Sequence, residues 1–192
     1  MSHRHFLLYK PTGYLSQFIN NGPKRSRKRL LGDLGDFPTG TMAIGRLDER
    51  SEGLLLLTTD GALSHQICSG AIEKEYYAQV DGIISEEAVE RLRAGLCISV
   101  KGKPYSTKPC QARLMESPNL AAGFRIRDSR HGPTSWMSIT LTEGKFRQVR
   151  KMTAAVGFPT LRLIRPRVGQ MCLDNLLPGE FKEVSGFSLY PS

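Results

Sequence analysis

A chain of 192 residues, 40% of them hydrophobic, is long enough to fold around a full hydrophobic core. No apolar run approaches the roughly 20 residues of a membrane-spanning helix, and the N-terminus lacks a secretory signal, which favours a cytoplasmic protein with no membrane partner. The four cysteines and four histidines are too dispersed for a metal site, whereas the net charge of +9 favours a polyanionic partner.

Strand signals outnumber helix signals along the chain. We predict strands at 6–10, 42–44, 54–57, 74–80, 110–115, 135–141 and 160–164. Helices are predicted after a cap at Asp60, between a cap at Ser85 and Ala94, and over 145–156. Because the strands do not alternate regularly with the helices, the pattern indicates an α+β fold.

The segment between the second and third predicted strands carries a single carboxylate at an informative place. Gly-Arg-Leu-Asp at 45–48 is followed by Ser-Glu-Gly and then by four leucines. A tight polar loop between two buried strands is where a rigid scaffold presents a reactive group, so Asp48 is a candidate catalytic residue. If the segment is extended, Arg46 lies on the same side as Asp48. The alternative is that Asp48 opens a hairpin turn and Arg46 is its surface ion-pair partner.

Positive charge is concentrated in two blocks. Seven lysines and arginines, and no acid, lie between positions 144 and 173. The other block fills five of the six positions at 24–29, with Lys24, Arg25, Arg27, Lys28 and Arg29. Such blocks are typical of a surface that binds nucleic acid, although a solvated basic face gives the same composition.

The segment 143–152 combines helical spacing with part of the second basic block. The spacing predicts that Phe146, Val149 and Met152 face the core. Arg147 and Arg150 are three residues apart, so in one helix they share another face. From composition alone, both arginines could equally lie on a solvated face.

Four segments together resemble the pseudouridine synthases, specifically the branch that modifies ribosomal RNA. They are the Asp48 segment, Lys-Glu-Tyr at 74–76, the 143–152 segment, and Lys-Pro-Thr-Gly at 10–13. The resemblance implies an α+β pseudouridine synthase catalytic fold, with a mixed, mostly antiparallel sheet and flanking helices. Members of this family isomerise uridine to pseudouridine without a cofactor, so none is expected here.

The same resemblance implies roles for individual residues. Asp48 matches the catalytic carboxylate, which either attacks the ribose or assists its deprotonation. Arg46 matches a residue that holds the RNA around the vacated base position. Tyr76 matches the active-site tyrosine that stacks on the target base, and Arg150 the cation that pairs with the carboxylate. Arg147 is then expected to bind phosphate.

The extent of the resemblance implies a subtype. It runs from about position 6 to 181, and only five residues precede the first predicted strand. We therefore expect a single catalytic domain over 1–192 with no separate N-terminal RNA-binding module. This organisation resembles the short subtype that acts on large-subunit (23S) ribosomal RNA, and we expect a monomer. The alternatives are a synthase for small-subunit ribosomal RNA or tRNA, and a non-catalytic RNA-binding assembly factor.

Overall fold

The computed structural model describes residues 2–19, 28–120 and 129–190. Its strands are β1 (His5–Lys10), β2 (Met42–Ile44), β3 (Glu52–Thr58), β4 (Lys74–Asp81), β5 (Cys97–Val100), β6 (Lys103–Ser106), β7 (Gln111–Met115), β8 (Thr134–Leu141), β9 (Thr160–Val168), β10 (Met171–Cys172) and β11 (Phe181–Val184). Its α-helices are α1 (Gly61–Ser69), α2 (Glu86–Ala94) and α3 (Gln148–Ala155). The predicted α+β class is confirmed. In the described ranges, no helix is long and apolar enough to cross a membrane.

The chain folds as two compact units. The first unit comprises Met1–Ile72 and Arg165–Ser192, and the second comprises Glu73–Ile164. Strand β9 therefore begins in the second unit and ends in the first. Asp48 belongs to the first unit, and α3 belongs to the second.

The sheet of the first unit is organised around β3, which is buried along its whole length. Strand β1 pairs antiparallel with β3 and, at its other edge, with β11. Leu8, for example, lies opposite Leu55 on one side and opposite Phe181 on the other. Phe6 and Leu57 belong to the same core. The alternate leucines of β3 face the other side of the sheet and are buried as well, which accounts for the uninterrupted run of leucines. The predicted buried strand is confirmed.

In the second unit, β4, β8 and β7 are neighbours in that order and pair antiparallel, and β9 lies at the other edge of β4. Alternate residues of β4, Ala78 and Val80, are buried in a core that also contains Leu92 of α2 and Met152 of α3. Helix α2 packs against β7. This core determines which face of α3 is buried and which is left exposed.

Two helix starts follow from local side-chain chemistry. The Asp60 carboxylate accepts hydrogen bonds from the backbone N–H groups of Ala62 and Leu63, at 2.9 and 3.0 Å. The Ser85 hydroxyl accepts from the N–H of Ala88 at 3.2 Å. Each cap satisfies N–H groups that have no partner within the helix. Both predicted caps are confirmed.

The predicted start of α3 is wrong. The helix runs from Gln148 to Ala155 rather than over 145–156. Arg147 has a left-handed backbone (φ 53°), and the Gln148 side chain accepts a hydrogen bond from the N–H of Lys145. Because the preceding segment is a turn, Phe146 does not reach the core and is 62% exposed. Arg147 precedes the helix as well, so it does not share a helical face with Arg150.

Strand β9 is longer than predicted and contains Pro166. A proline lacks the N–H that a central ladder needs, so the sequence indicated an end at this position. Its carbonyl is nevertheless used, because it accepts a hydrogen bond from the N–H of Leu173 at 2.9 Å. The pairing of β9 with β10 supports the rest of the strand.

The β5–β6 hairpin was not predicted. Its two-residue turn is Lys101-Gly102, and both residues have positive φ values, 52° and 78°. Positive φ at both positions is the geometry that matches the twist of a hairpin. The available signal was therefore the Lys-Gly pair between two short runs with β propensity.

Candidate active site

Asp48 lies on the connection between β2 and β3 in the first unit. Gly45, with φ at +70°, follows the end of β2. The carbonyl of Asp48 accepts a hydrogen bond from the N–H of Ser51 at 3.0 Å, which closes a turn. Leu47 is buried, whereas the Asp48 side chain is only half-buried. The turn thus holds the Asp48 carboxylate near the surface, on a backbone that is anchored by the buried side chain of Leu47.

Arg46 is exposed on the same connection. Strand β2 ends at Ile44, so neither Arg46 nor Asp48 belongs to a strand. The predicted alternation of strand side chains therefore gives no basis for placing the two on one side. The backbone of the turn decides instead whether the Arg46 and Asp48 side chains lie on the same side.

Ser16 holds the peptide groups just before Asp48. Its hydroxyl donates to the carbonyl of Leu47 at 2.7 Å and accepts from the N–H of Leu47 at 2.9 Å. Ser16 is itself buried, so both bonds are shielded from water. One side chain thereby satisfies both polar groups of a buried backbone position next to the candidate carboxylate. No local signal identifies Ser16 in the sequence, since 31 positions separate it from Leu47.

Lys10 holds the other end of the same turn. Its side chain is fully buried, and Nζ donates to the carbonyls of Ser51 at 2.8 Å and Pro11 at 2.9 Å, with that of Glu49 at 3.5 Å. The N–H of Gly13 also donates to the Glu49 carbonyl, at 2.7 Å. The Lys-Pro-Thr-Gly segment is therefore a clamp on the Asp48 turn, and not only a strand end.

The buried ammonium of Lys10 faces several charges. Burial lowers the pKa of Lys10 from its ordinary 10.5 to about 8. The carboxylates of Glu52, Asp48 and Glu49 oppose this change, and the Arg165 guanidinium adds to it. Lys10 thus remains mostly protonated at neutral pH and places a positive charge next to the Asp48 turn. A lysine at the end of an otherwise apolar strand was the sequence signal for this group.

Tyr76 lies on β4 in the second unit, opposite Ile139 of β8. It is half-buried and packs against the core that contains Ala78 and Val80. The prediction that these three residues share a face is consistent with the period of two along the strand. Tyr77 lies opposite Ser138 and therefore belongs to the other face.

Arg150 is on α3, and its guanidinium donates to the carbonyl of Thr160 at 3.2 Å. The start of α3 is fixed by Glu143, whose carboxylate accepts from the Tyr105 hydroxyl, from the Lys108 N–H at 3.0 Å and from the Gln148 amide at 2.6 Å. Burial alone would raise the pKa of Glu143, but these hydrogen bonds hold that pKa below its usual value. Glu143 is a positioning group that the sequence did not single out.

The basic block at 24–29 is described only in part, because Lys24, Arg25 and Arg27 lie outside the described residues. Lys28 forms an ion pair with Glu49 at 2.9 Å. The Arg29 guanidinium lies 4.6 Å from the centre of the Tyr14 ring. Both contacts place the end of this block in the first unit, and Lys28 contacts the residue that follows Asp48.

Comparisons with known proteins identify the family to which the chain is related. A model described as RNA pseudouridylate synthase matches residues 4–155. Ribosomal large subunit pseudouridine synthase E of Xanthomonas axonopodis pv. citri is 42% identical, with 90% of this chain and 89% of the relative covered. The protein of the same name in Vibrio vulnificus is 41% identical, with 92% and 73% covered.

A solved structure supports the same assignment. A crystal structure described as a pseudouridylate synthase superposes with a TM-score of 0.74 at 26% identity, covering 96% of this chain and 71% of that one. The fold class and the resemblance drawn from the four sequence segments are thereby confirmed. The chain belongs to the RNA pseudouridine synthase family and is an isomerase of uridine in RNA.

Proposed function

We propose that this chain isomerises a specific uridine of large-subunit ribosomal RNA to pseudouridine, with Asp48 as the catalytic carboxylate. The substrate class is supported by the relatives that match along most of the chain. The observation that carries the catalytic assignment is the half-buried Asp48 on a turn whose backbone is held by buried Ser16 and Lys10. Preorganisation of this kind is what a reactive group requires of its scaffold.

The isomerisation determines which chemical groups the site must supply. The bond between N1 of uracil and the ribose C1′ breaks, the base rotates, a bond forms between C5 and C1′, and the proton of C5 moves to N1. Atoms and electrons balance within the nucleotide, so the step consumes no oxidant, reductant or energy donor. It requires an ionised carboxylate beside the sugar, and an aspartate is ionised at neutral pH. Direct attack on C1′ and assistance in deprotonating the ribose both use the carboxylate of Asp48.

The other roles follow from family resemblance and are proposals for this chain. Arg46 holds the RNA around the vacated base position, and Tyr76 stacks on the target base. Arg150 serves as the cation for the catalytic carboxylate, and Arg147 binds phosphate. The target base must leave its stack, because a stacked base cannot rotate; extrusion costs a few kcal/mol.

The RNA-binding role of the block at 24–29 is also a proposal. Lys28 and Arg29 are its described members, and both are exposed in the unit that carries Asp48. Lys24, Arg25 and Arg27 would add phosphate contacts. The family model spans parts of both compact units, which supports one catalytic domain over 1–192. An enzyme of this kind would act in the cytoplasm, where ribosomal RNA is processed.

The substitution Asp48→Asn tests the proposal. Asparagine keeps the volume but removes the charge and the nucleophile, so we expect isomerisation to be abolished while RNA binding persists. Pseudouridine is mapped chemically in transcripts of large-subunit RNA, small-subunit RNA and tRNA after incubation with each protein. The control is Asp36→Asn, at an exposed aspartate of the same unit.

Activity of Asp48→Asn within about tenfold of wild type would remove Asp48 from the catalytic role. Modification of small-subunit RNA or tRNA alone would overturn the substrate class. Loss of activity in Asp36→Asn as well would show that the assay reports folding rather than chemistry.

A further inference from the structure

A shallow groove lies on the second unit, between the β5–β6 hairpin and the exposed side of α3. Its volume is about 580 Å³. Its lining includes Ala154, Ala155 and Lys151 of α3, together with Phe146 and with Lys101 of the hairpin turn. No residue that lines it in the described part of the chain is acidic. The groove therefore combines a flat apolar surface with positive charge.

Phe146 is the unusual member of this surface. Its side chain is 62% exposed, although a phenylalanine is among the residues most often buried. It cannot turn inward, because the turn before α3 is closed by the hydrogen bond from the Lys145 N–H to Gln148. The Nζ of Lys151 lies 5.2 Å from the ring centre, which leaves the remaining ring surface to the groove.

The surroundings of the groove are cationic. Lys101 stands at the tip of the hairpin, and Lys103 follows it in β6; both are exposed. The Nζ of Lys145 lies 4.7 Å from the centre of the Tyr105 ring, which associates this lysine with β6. The nearby carboxylate of Glu143 is already occupied by its three donors. Glu143 keeps its negative charge but does not line the groove, whose charged lining residues in the described part of the chain are lysines.

We propose that the groove binds an unpaired nucleotide of the substrate RNA, with Phe146 stacked on its base and Lys101 and Lys151 in contact with the flanking phosphates. The inference rests on the proposed function, which makes RNA the partner, and adds a contact surface to it. An exposed aromatic ring among cations is the arrangement with which proteins bind single-stranded nucleic acid. The core of a protein–protein interface is instead depleted of lysine, which disfavours a protein partner.

The probe is a labelled, unstructured RNA of about 12 nucleotides, a length within the usual range of single-strand sites. Its affinity is measured by fluorescence anisotropy for the full chain. We expect Phe146→Leu to weaken binding by about five- to hundredfold, and Phe146→Tyr to retain affinity within about twofold, because tyrosine keeps the stacking face. The control is Ile83→Ala, at an apolar residue of the same unit that is 64% exposed and lies outside the groove.

The salt dependence separates stacking from charge. In the double variant Lys101→Gln, Lys151→Gln, the slope of log affinity against log salt should fall in magnitude by about 0.7 for each lost phosphate contact. Phe146→Leu should weaken binding at every salt concentration without changing that slope. An unchanged slope in the double variant would overturn the assignment of the two lysines.

Wild-type affinity in Phe146→Leu would overturn the proposal. If that variant also had an altered sedimentation coefficient, the groove would be assigned to a contact between proteins instead. A failure of the groove proposal can be distinguished from a failure of the proposed function. A wild type that binds the probe through Phe146 but makes no pseudouridine in large-subunit RNA would retain the groove and reject the function. A wild type that makes pseudouridine, with a Phe146→Leu variant that binds normally, would reject the groove alone.

Discussion

Replacement of Lys10 by methionine tests the clamp on the Asp48 turn. Methionine has a similar volume but carries neither charge nor donors. In the folded protein the Lys10 ammonium is fully buried and donates to the carbonyls of Ser51 and Pro11. Lys10→Met leaves these carbonyls without that donor, at about 1–3 kcal/mol each. It also removes the cost of burying a charge, so the two effects oppose each other at neutral pH.

The pH dependence is the decisive quantity. Burial lowers the pKa of Lys10 from 10.5 to about 8; Glu52, Asp48 and Glu49 oppose this shift, and Arg165 adds to it. A shift of this size corresponds to about 3 kcal/mol of free energy between the protonated and neutral forms. Above this lowered pKa, the unfolded state binds more protons than the folded state. The free energy of unfolding of the wild type therefore rises with pH from about 8 and levels off near the ordinary pKa of lysine. From about pH 7 to about pH 9 the rise is roughly 1 kcal/mol.

Urea denaturation of wild type and Lys10→Met at these two pH values measures the effect. Groups that titrate equally in both proteins cancel in the difference, so the wild type should gain about 1 kcal/mol relative to the variant at the higher pH. Lys182→Met, at an exposed lysine of the same unit, should show no such gain. A wild-type advantage that does not change with pH would refute the assignment of Lys10 as a buried ammonium.

Two further predictions concern the backbone around the candidate site. Ser16→Ala removes both hydrogen bonds to Leu47, so the free energy of unfolding measured in urea should fall by about 2 kcal/mol. The single-turnover rate on RNA should also fall. A loss of stability below about 0.5 kcal/mol would contradict the role of Ser16. Gly53→Ala should cost more than about 3 kcal/mol or prevent folding, because a Cβ there would lie 2.4 Å from a backbone oxygen of β9 at a φ of +113°. Gly40→Ala, at a φ of +85° with nothing within 4 Å, should lose only about 1 kcal/mol from backbone strain, so equal losses at the two glycines would contradict the clash.

The features that were predicted correctly depend on neighbouring residues. The Asp60 and Ser85 caps act on N–H groups two or three positions ahead, and the leucines at 54–57 identify a buried strand by themselves. The candidate carboxylate was also predictable, because its place between two apolar runs and its family motif are both local. The assignment of Asp48 as catalytic stays a prediction until the substitution is made.

Features that depend on distant contacts, or on a side chain that closes a turn, were not predicted. The start of α3 was placed three residues too early, because helical spacing alone cannot detect a turn that Gln148 closes from its own side chain. The exposure of Phe146 follows from that turn. Strand β11 pairs with β1 from the opposite end of the chain, and no periodicity in one strand specifies its partner.

The sequence by itself determined the family, the α+β class and the position of the candidate carboxylate, since each depends on residue types at short, fixed spacing. Only the tertiary structure showed what holds that carboxylate. Ser16 and Lys10 act on backbone groups 31 and 41 positions away, so their hydrogen bonds depend on the folding of the chain around them. The physical reason is that burial, which strengthens these bonds and lowers the pKa of Lys10, is a property of the packed chain and of no segment alone.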